Sequence, residues 1–555
     1  MTDIQSDGDA VTISHDHSII ACIQNSIFSP ERPWLLCTIL IILALALNLI
    51  YLGRPGIWFD EAFSVELARQ PLPLLWRTIF GTEPNMELYY LLLHFWLRAT
   101  SLLGIAPVEW VVRLPSAICA ALSTGVVFLL ARRYLGTIGA ALGALLYATN
   151  YLQLIYAQQT RAYALQLLLI CLSWWALLVA VQSESLEKRW WLLYILTAAL
   201  SIYTHLFSIF ILFAQFVALA GLFVVSSAWR SRLRQHTGIF IASLVAIAIL
   251  SIPMFLVSLQ GSKTGWLFIP RLQELLSLFT IISGSNPRYL LIVGLCILVG
   301  LLVLAINIVA RFIGRPEERK QLFWKVLQDN DQLQKFVPFA WILLCWFLLP
   351  IIISYIVSQG SLRLFSTRYL VVVVPPFCLL TILGIIVWRW RLVQAIIICA
   401  LIGSALLVVP HYYQNAQVEE WNSAIHWVLD RYQPGDGLVC YDNTTTQGCQ
   451  IATEYYLHAY PNGAHFTADA PGAFSWDKFS TAQPQNDPTL ALQPAALSTF
   501  ASKHPRIFMI TGRIANQKDA TRVKETQRWL DQHYHFTDQI ITKTVTVRLY
   551  TTHTP

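Results

Sequence analysis

Two adjacent carboxylates, Asp60 and Glu61, follow Trp58 and Phe59 where the first long apolar run of the chain gives way to polar sequence. An acid placed there can serve structure, because an aspartate ahead of a helix accepts its free backbone donors and acids favour the first turn. It can also serve chemistry: a carboxylate at a water–lipid boundary can take the proton of an acceptor hydroxyl while a sugar leaves its phosphate. Four more polar groups stand at the ends of apolar runs: Glu83 before Pro84, Arg161 in QQTRAY, His205 in YTHLF and Arg368 in STRYL. Singly, an arginine there snorkels to headgroups and a histidine bonds a neighbouring carbonyl. Gathered on one side of a membrane, they describe a cavity in which carboxylates activate a nucleophile and cations hold a phosphate.

The elements that must position these groups are membrane spans. The chain has 555 residues, 56% of them hydrophobic and 12% charged, with a mean hydropathy of +0.55. That balance cannot be buried inside a soluble domain. Trp34 to Leu52, Leu290 to Ala310 and Ala395 to Val409 are nearly free of charge, over roughly the 20 residues that cross a hydrocarbon core of about 30 Å. The 33-residue polar leader before the first run lacks a small-residue cleavage pattern, so the run reads as a retained anchor.

Apolar runs predict eleven spans, near 34–52, 114–131, 137–156, 162–182, 190–204, 206–228, 238–258, 289–310, 337–357, 369–387 and 392–410. With the N-terminus inside, the inner loops hold 15 Lys and Arg in 52 residues and the outer loops 11 in 105. The net charge of +7 is therefore a topology signal rather than a sign of nucleic-acid binding. Parity depends on LYYLLLHFWLRATSLL, residues 88–103. It is short, it carries His94 and Arg98, and crossing would move Arg132 and Arg133 outside, so it is expected to lie at the interface. Residues 62–80 read the same way. The first outer loop, 54–113, is thus predicted to carry two interfacial helices.

After Val409 the composition changes. Helical stretches at Val418–Tyr432 and Thr521–His533 alternate with apolar runs at Gly437–Tyr441, Arg506–Thr511 and Ile540–Tyr550, which predicts a small α/β domain on the outer side. The expected division is a cytoplasmic leader over 1–33, a transmembrane module over 34–411 and an extracytoplasmic domain over 412–555. The ten cysteines show no metal-ligand spacing; only Cys440 and Cys449 share a polar region, where an oxidising compartment would allow a disulfide.

WFDEAFS, EPNMELYYLLLHFWLR, VVRLPSA, QQTRAYAL, YTH and STRYLVVVVPP occur in that order over about residues 30–410. This order resembles the GT-C glycosyltransferases of the group containing the protein O-mannosyltransferases and the lipid A aminoarabinose transferase. The resemblance implies a GT-C-like α-helical polytopic membrane protein with a catalytic base at Asp60, beside Glu61. It implies that Arg113, opening the second span, and Arg368, beside Tyr369, contact the carrier phosphate, with Arg161, Tyr163 and His205 on the substrate. Glu83 falls where the family has an acid before proline, at times a metal ligand, and is the best candidate should a divalent metal be needed. Asn85, Met86 and Glu87 interrupt the family's PPLYY pattern, and His205 stands where some relatives carry lysine.

The implied activity is transfer of a hexosyl or pentosyl group, mannosyltransferase-like, from a polyprenyl-phosphate sugar to a lipid, glycan or protein hydroxyl. The extracytoplasmic face of a bacterial inner membrane is the expected place. Arg113 and Arg368 would neutralise the leaving phosphate through bidentate contacts, and a base at Asp60 implies inversion at the sugar carbon. No nucleotide-binding glycine pattern appears in a strand-to-helix setting, which disfavours a nucleotide-sugar donor. The alternative is a lipid or glycan transporter or flippase, which predicts charges at mid-span and an internal repeat of spans. The sequence has neither. A third reading, an assembly protein with an outer recruiting domain, leaves eleven spans as a heavy anchor.

Overall fold

The computed structural model describes residues 33–82, 85–259, 264, 267–313, 330–388, 390–441, 446–471, 473–476, 494–512, 514 and 517–552. The polar leader and Glu83 lie outside the described residues. Among those described, eight helices are long and apolar enough to cross a membrane. The expected eleven segments differ from these eight for definite reasons. Pro33–Leu49 and Lys188–Thr204 form helices of 17 residues each, just short of a full crossing by length. The segments expected at 114–131 and 137–156 are drawn into one 40-residue element, Glu109–Ala148.

That element is two helices. Straight, it would run about 60 Å at 1.5 Å per residue, twice the hydrocarbon thickness. Gly136 breaks it with φ 70° and ψ 178°, a backbone state open to glycine at little cost. The halves then fold back on each other: Ser123 Oγ lies 3.0 Å from Tyr147 Oη, and Ala44, Ala121 and Ala148 share one small core cluster. The helices Tyr163–Gln182 and Val374–Ile386 are buried almost throughout. By contrast, Ser227–Ser258 and Arg391–Asn415 leave most of their apolar side chains on the outside, as lipid requires. Trp174 stacks on Trp346 at 5.3 Å, and Trp346 Nε1 donates to the Val372 carbonyl at 3.0 Å. Close packing also needs small residues: a Cβ on Gly384 would stand 2.1 Å from the Cys296 carbonyl oxygen.

The segment between the first two spans, 54–113, holds more pieces than expected. Phe59–Arg69 is a helix that Pro71 ends, Leu72–Arg77 follows, and Thr78–Thr82 is a π turn, where one helix over 62–80 had been predicted. Glu87–Leu102 is the expected second helix; it buries Tyr90, Leu93, His94 and Leu97 on one face and exposes Phe95 on the other. Leu272–Ile282 is an amphipathic helix within a stretch read as loop.

The C-terminal region is built on a four-stranded mixed sheet of β1 (Gly437–Tyr441), β2 (Arg506–Thr511), β3 (His535–Ile541) and β4 (Thr546–Thr551) in the order β1-β2-β4-β3. β1 and β2 run parallel, and the other pairs antiparallel. The apolar run read over 540–550 is therefore a hairpin. Trp421–Arg431, Thr446–Ala459 and Gln517–His533 are its main helices, the middle one not foreseen. Cys440 and Cys449 are joined in a disulfide.

Candidate active site

Asp60 and Glu61 occupy the first turn of the helix Phe59–Arg69, but neither caps it. The cap residue is Trp58, in extended conformation and without a side-chain cap bond. The reading of Asp60 as a helix cap is thus corrected. Its carboxylate is free to point elsewhere, and the helix start favours its charge.

One residue apart, on a helix that turns about 100° per residue, the two acids face different surroundings. Glu61 is completely buried. Arg113 grips it twice, Nε donating to Oε1 at 2.8 Å and Nη2 to Oε2 at 2.7 Å, and the Thr160 backbone N–H donates to Oε1 at 2.7 Å. The remaining donors of Arg113 go to the carbonyls of Leu52, Pro55 and Gly56, at 2.7 to 3.0 Å. All five guanidinium donors are thereby used. The structure brings Arg113 to Glu61 and to the chain leaving the first helix, not to the pocket around Asp60.

Asp60 keeps 20% of its side chain exposed. Its Oδ2 accepts from Arg368 Nη1 at 2.9 Å and lies 3.9 Å from Arg161 Nη2. Arg161 is anchored by Nη1, which donates to the Asp60 carbonyl and to Ser64 Oγ, each at 3.0 Å. The Arg368 guanidinium stands 5.9 Å from the Trp58 ring centre. Around these three charges runs an aromatic wall: Tyr163 lies 4.6 Å from Tyr156 and 5.8 Å from His205, and His205 lies 4.7 Å from Tyr369, all between ring centres.

His205 sits between the helices Lys188–Thr204 and Ser208–Val225. Burial, and then the charges of Arg161 and Arg368, push it down to about 3, so it is neutral at physiological pH. Its Nδ1 accepts from the Phe207 N–H at 3.2 Å, which leaves the proton on Nε2; the Asn85 side-chain amide lies 3.4 Å from that nitrogen and accepts the proton when its oxygen is turned toward the ring. It is therefore a hydrogen-bonding wall of the pocket and not a third cation.

Of the predicted site residues, the fold brings Asp60, Arg161, Tyr163, His205, Arg368 and Tyr369 together. It separates Glu61 and Arg113 as a sealed pair, and Glu83 lies outside the described residues. Among the described residues no group of three or more His, Cys, Asp or Glu side chains could hold a metal ion. The sequence reading missed the wall residue Tyr156, named Asn85 only as a break in the PPLYY pattern, and passed over Thr160, which lies inside a quoted motif. It also missed a set from the C-terminal region: Gln417, Glu419 and Tyr456 accept from the backbone N–H groups of Gly56, Phe59 and Ile57 at 2.8, 3.0 and 2.8 Å.

The chain has a GT-C-like fold. Residues 91–256 match the family described as dolichyl-phosphate-mannose-protein mannosyltransferase. Over most of its length the chain is similar to the crystal structure of ArnT from Cupriavidus metallidurans in the apo state, with a TM-score of 0.55 and 13% identity. That likeness covers 94% of this chain and 98% of the other. The structure of the same ArnT bound to undecaprenyl phosphate gives a TM-score of 0.50 at 13% identity, covering 93% and 98%. No curated protein matches the chain.

Proposed function

We propose that the chain transfers a sugar from a polyprenyl-phosphate carrier to an acceptor hydroxyl at the extracytoplasmic face of the membrane, with Asp60 as base and Arg368 and Arg161 on the carrier phosphate. The observation that carries this reading is the shared Asp60 carboxylate: one oxygen 2.9 Å from Arg368 and 3.9 Å from Arg161, part-open to water, in a pocket walled by tyrosines. Two arginines around one acid are what a phosphate leaving group and a general base require in the same place. The incoming phosphate competes with Asp60 for Arg368, so donor binding frees the carboxylate to accept a proton. The acceptor oxygen then bonds to the anomeric carbon, the bond to the carrier phosphate breaks with its electron pair on phosphate oxygen, and the hydroxyl proton passes to Asp60. Tyr163 and Tyr369 bound the space for the sugar, and His205 offers it a neutral donor.

Glu61 and Arg113 are positioning residues in this reading. The pair ties the start of the Phe59–Arg69 helix to the second span and holds Asp60 at the pocket. Sidedness is supported by the Lys and Arg asymmetry of the loops, and by the Cys440–Cys449 disulfide, a bond that persists in oxidising compartments. The division of labour follows: 34–411 is the catalytic module and 412–555 the extracytoplasmic domain.

The direct test offers the purified protein in lipid nanodiscs a panel of radiolabelled donors, polyprenyl-phosphate sugars against nucleotide sugars. Transfer or slow hydrolysis only from the former is expected, and lost in Arg368→Ala. Use of a nucleotide sugar, or transport of intact carrier across a sealed vesicle without turnover, would overturn the reading.

A further inference from the structure

The segment Gly56–Phe59 carries Asp60 out of the first span, and its backbone donors point away from the membrane module. A helix start leaves its first N–H groups without partners in the helix, and a side chain of the cap residue commonly satisfies one of them. Here Trp58 supplies none. Instead Glu419 Oε2 takes the first helical N–H, that of Phe59, at 3.0 Å, and two more side chains from 350 residues or more further along the chain hold the segment leading into the helix: Gln417 Oε1 takes the Gly56 N–H and Tyr456 Oη the Ile57 N–H, each at 2.8 Å. The acceptors are themselves held. Trp421 Nε1 donates to Glu419 Oε2 at 2.7 Å, and Tyr456 is buried in the helix Thr446–Ala459 beside Tyr455, whose hydroxyl donates to the Pro107 carbonyl at 3.0 Å. The approach is close: a Cβ on Gly56 would stand 2.8 Å from the Asn422 side chain, which would have to shift.

We infer that Gln417, Glu419 and Tyr456 form an external cap over the entry to the helix Phe59–Arg69, Glu419 on its first N–H and the other two on the segment before it, and that through it the C-terminal region sets the position of Asp60. The Glu419 carboxylate suits the place, as an anion at a helix N-terminus is stabilised by the oriented peptide dipoles. The region is then more than a cover over the pocket. Whatever moves the Trp421–Arg431 and Thr446–Ala459 helices moves the backbone that carries the base, and a shift of about 1 Å in a reacting group can cost on the order of 10²-fold in rate. This inference rests on the reading of Asp60 as the base.

The test compares Glu419→Ala, Glu419→Gln, Tyr456→Phe and Asp60→Asn in nanodiscs, each with single-turnover transfer and carrier affinity measured separately. Glu419→Ala and Tyr456→Phe are expected to slow single turnover by roughly tenfold or more, up to on the order of 10², with carrier affinity unchanged. Glu419→Gln keeps an acceptor oxygen and should restore most of the rate, which a general loss of stability would not explain. In the Asp60→Asn background, Glu419→Ala should add little, because the residue it positions is gone. Wild-type turnover in Glu419→Ala and Tyr456→Phe beside an inactive Asp60→Asn would overturn the external cap and leave the base reading standing. An active Asp60→Asn would overturn the base reading itself.

Discussion

Asp60 and Glu61 are neighbours in sequence and opposites in setting. Glu61 is sealed from water and locked to Arg113 through two bonds, with every donor of that arginine occupied. Asp60 keeps a fifth of its side chain exposed and shares one oxygen between two arginines on different elements. A pair enclosed on all sides can build but cannot trade partners, whereas a part-exposed one can give up an arginine to a ligand. The contrast separates an enclosed framework carboxylate from one open to a ligand where residue type alone does not.

The largest expected effect lies on the framework side. Arg113→Ala leaves Glu61 buried without its cation and three carbonyls without a donor. Removing one partner of a buried pair costs about 3 to 5 kcal/mol. Loss of monodisperse, folded protein in detergent is the expected outcome, with carrier binding lost only as a consequence. A folded, stable Arg113→Ala that failed specifically in carrier binding would return Arg113 to the phosphate and break the contrast.

On the pocket side the expected effects are specific and smaller. Arg368→Ala removes charge-assisted hydrogen bonds worth about 1.5 to 3 kcal/mol, and carrier affinity should fall by roughly one to two orders of magnitude with the fold intact. Arg161→Ala should cost less affinity, because at 3.9 Å it is the more distant of the two from Asp60 Oδ2. Titrating undecaprenyl phosphate against each variant ranks them. An Arg161 effect larger than that of Arg368 would reassign the main phosphate contact.

The smallest effect concerns the join between the loop over 54–113 and the C-terminal region. His458 Nδ1 meets the buried Glu66 at 2.8 Å, and that bond holds the imidazole above its ordinary value; burial pushes Glu454 nearby up to about 7. Both shifts are upward, so both groups add stability that is full below their unfolded values and lost as pH rises through the folded ones. The thermal midpoint should therefore drop between about pH 5 and pH 8, Glu454 acting across the lower part and His458 above it. Glu454→Gln should flatten the lower part of the curve and His458→Gln the upper. A midpoint that rises over this interval would contradict the assignment.

Much of this was legible in the sequence. Long uncharged runs and motif order mark the spans, the long loop after the first of them and the positive groups, because lipid imposes a pattern that survives in one dimension. Arg161, His205 and Arg368 could be placed with Asp60 since all sit at helix ends on one side. The separation of Asp60 from Glu61 could not be read, for it depends on how the Phe59–Arg69 helix is rotated against the second span. The hairpin at Gly136 was expected as a loop of several residues and is made by one glycine. The external cap was invisible, since Gln417, Glu419 and Tyr456 form no local pattern with the residues they hold, which lie about 360 to 400 positions away.

The most direct test sets the two acids side by side by replacing each with its amide. Asp60→Asn and Glu61→Gln are compared for single-turnover transfer and for thermal stability in the same nanodiscs. Asp60→Asn is expected to lose on the order of 10² to 10⁴ in rate, as for a general base, while its melting temperature and carrier affinity stay near wild type. Glu61→Gln should show the reverse emphasis: a marked drop in melting temperature and a rate, per folded molecule, far closer to wild type than that of Asp60→Asn. Near-normal turnover in Asp60→Asn together with a stable but inactive Glu61→Gln would contradict the reading of Asp60 as the base.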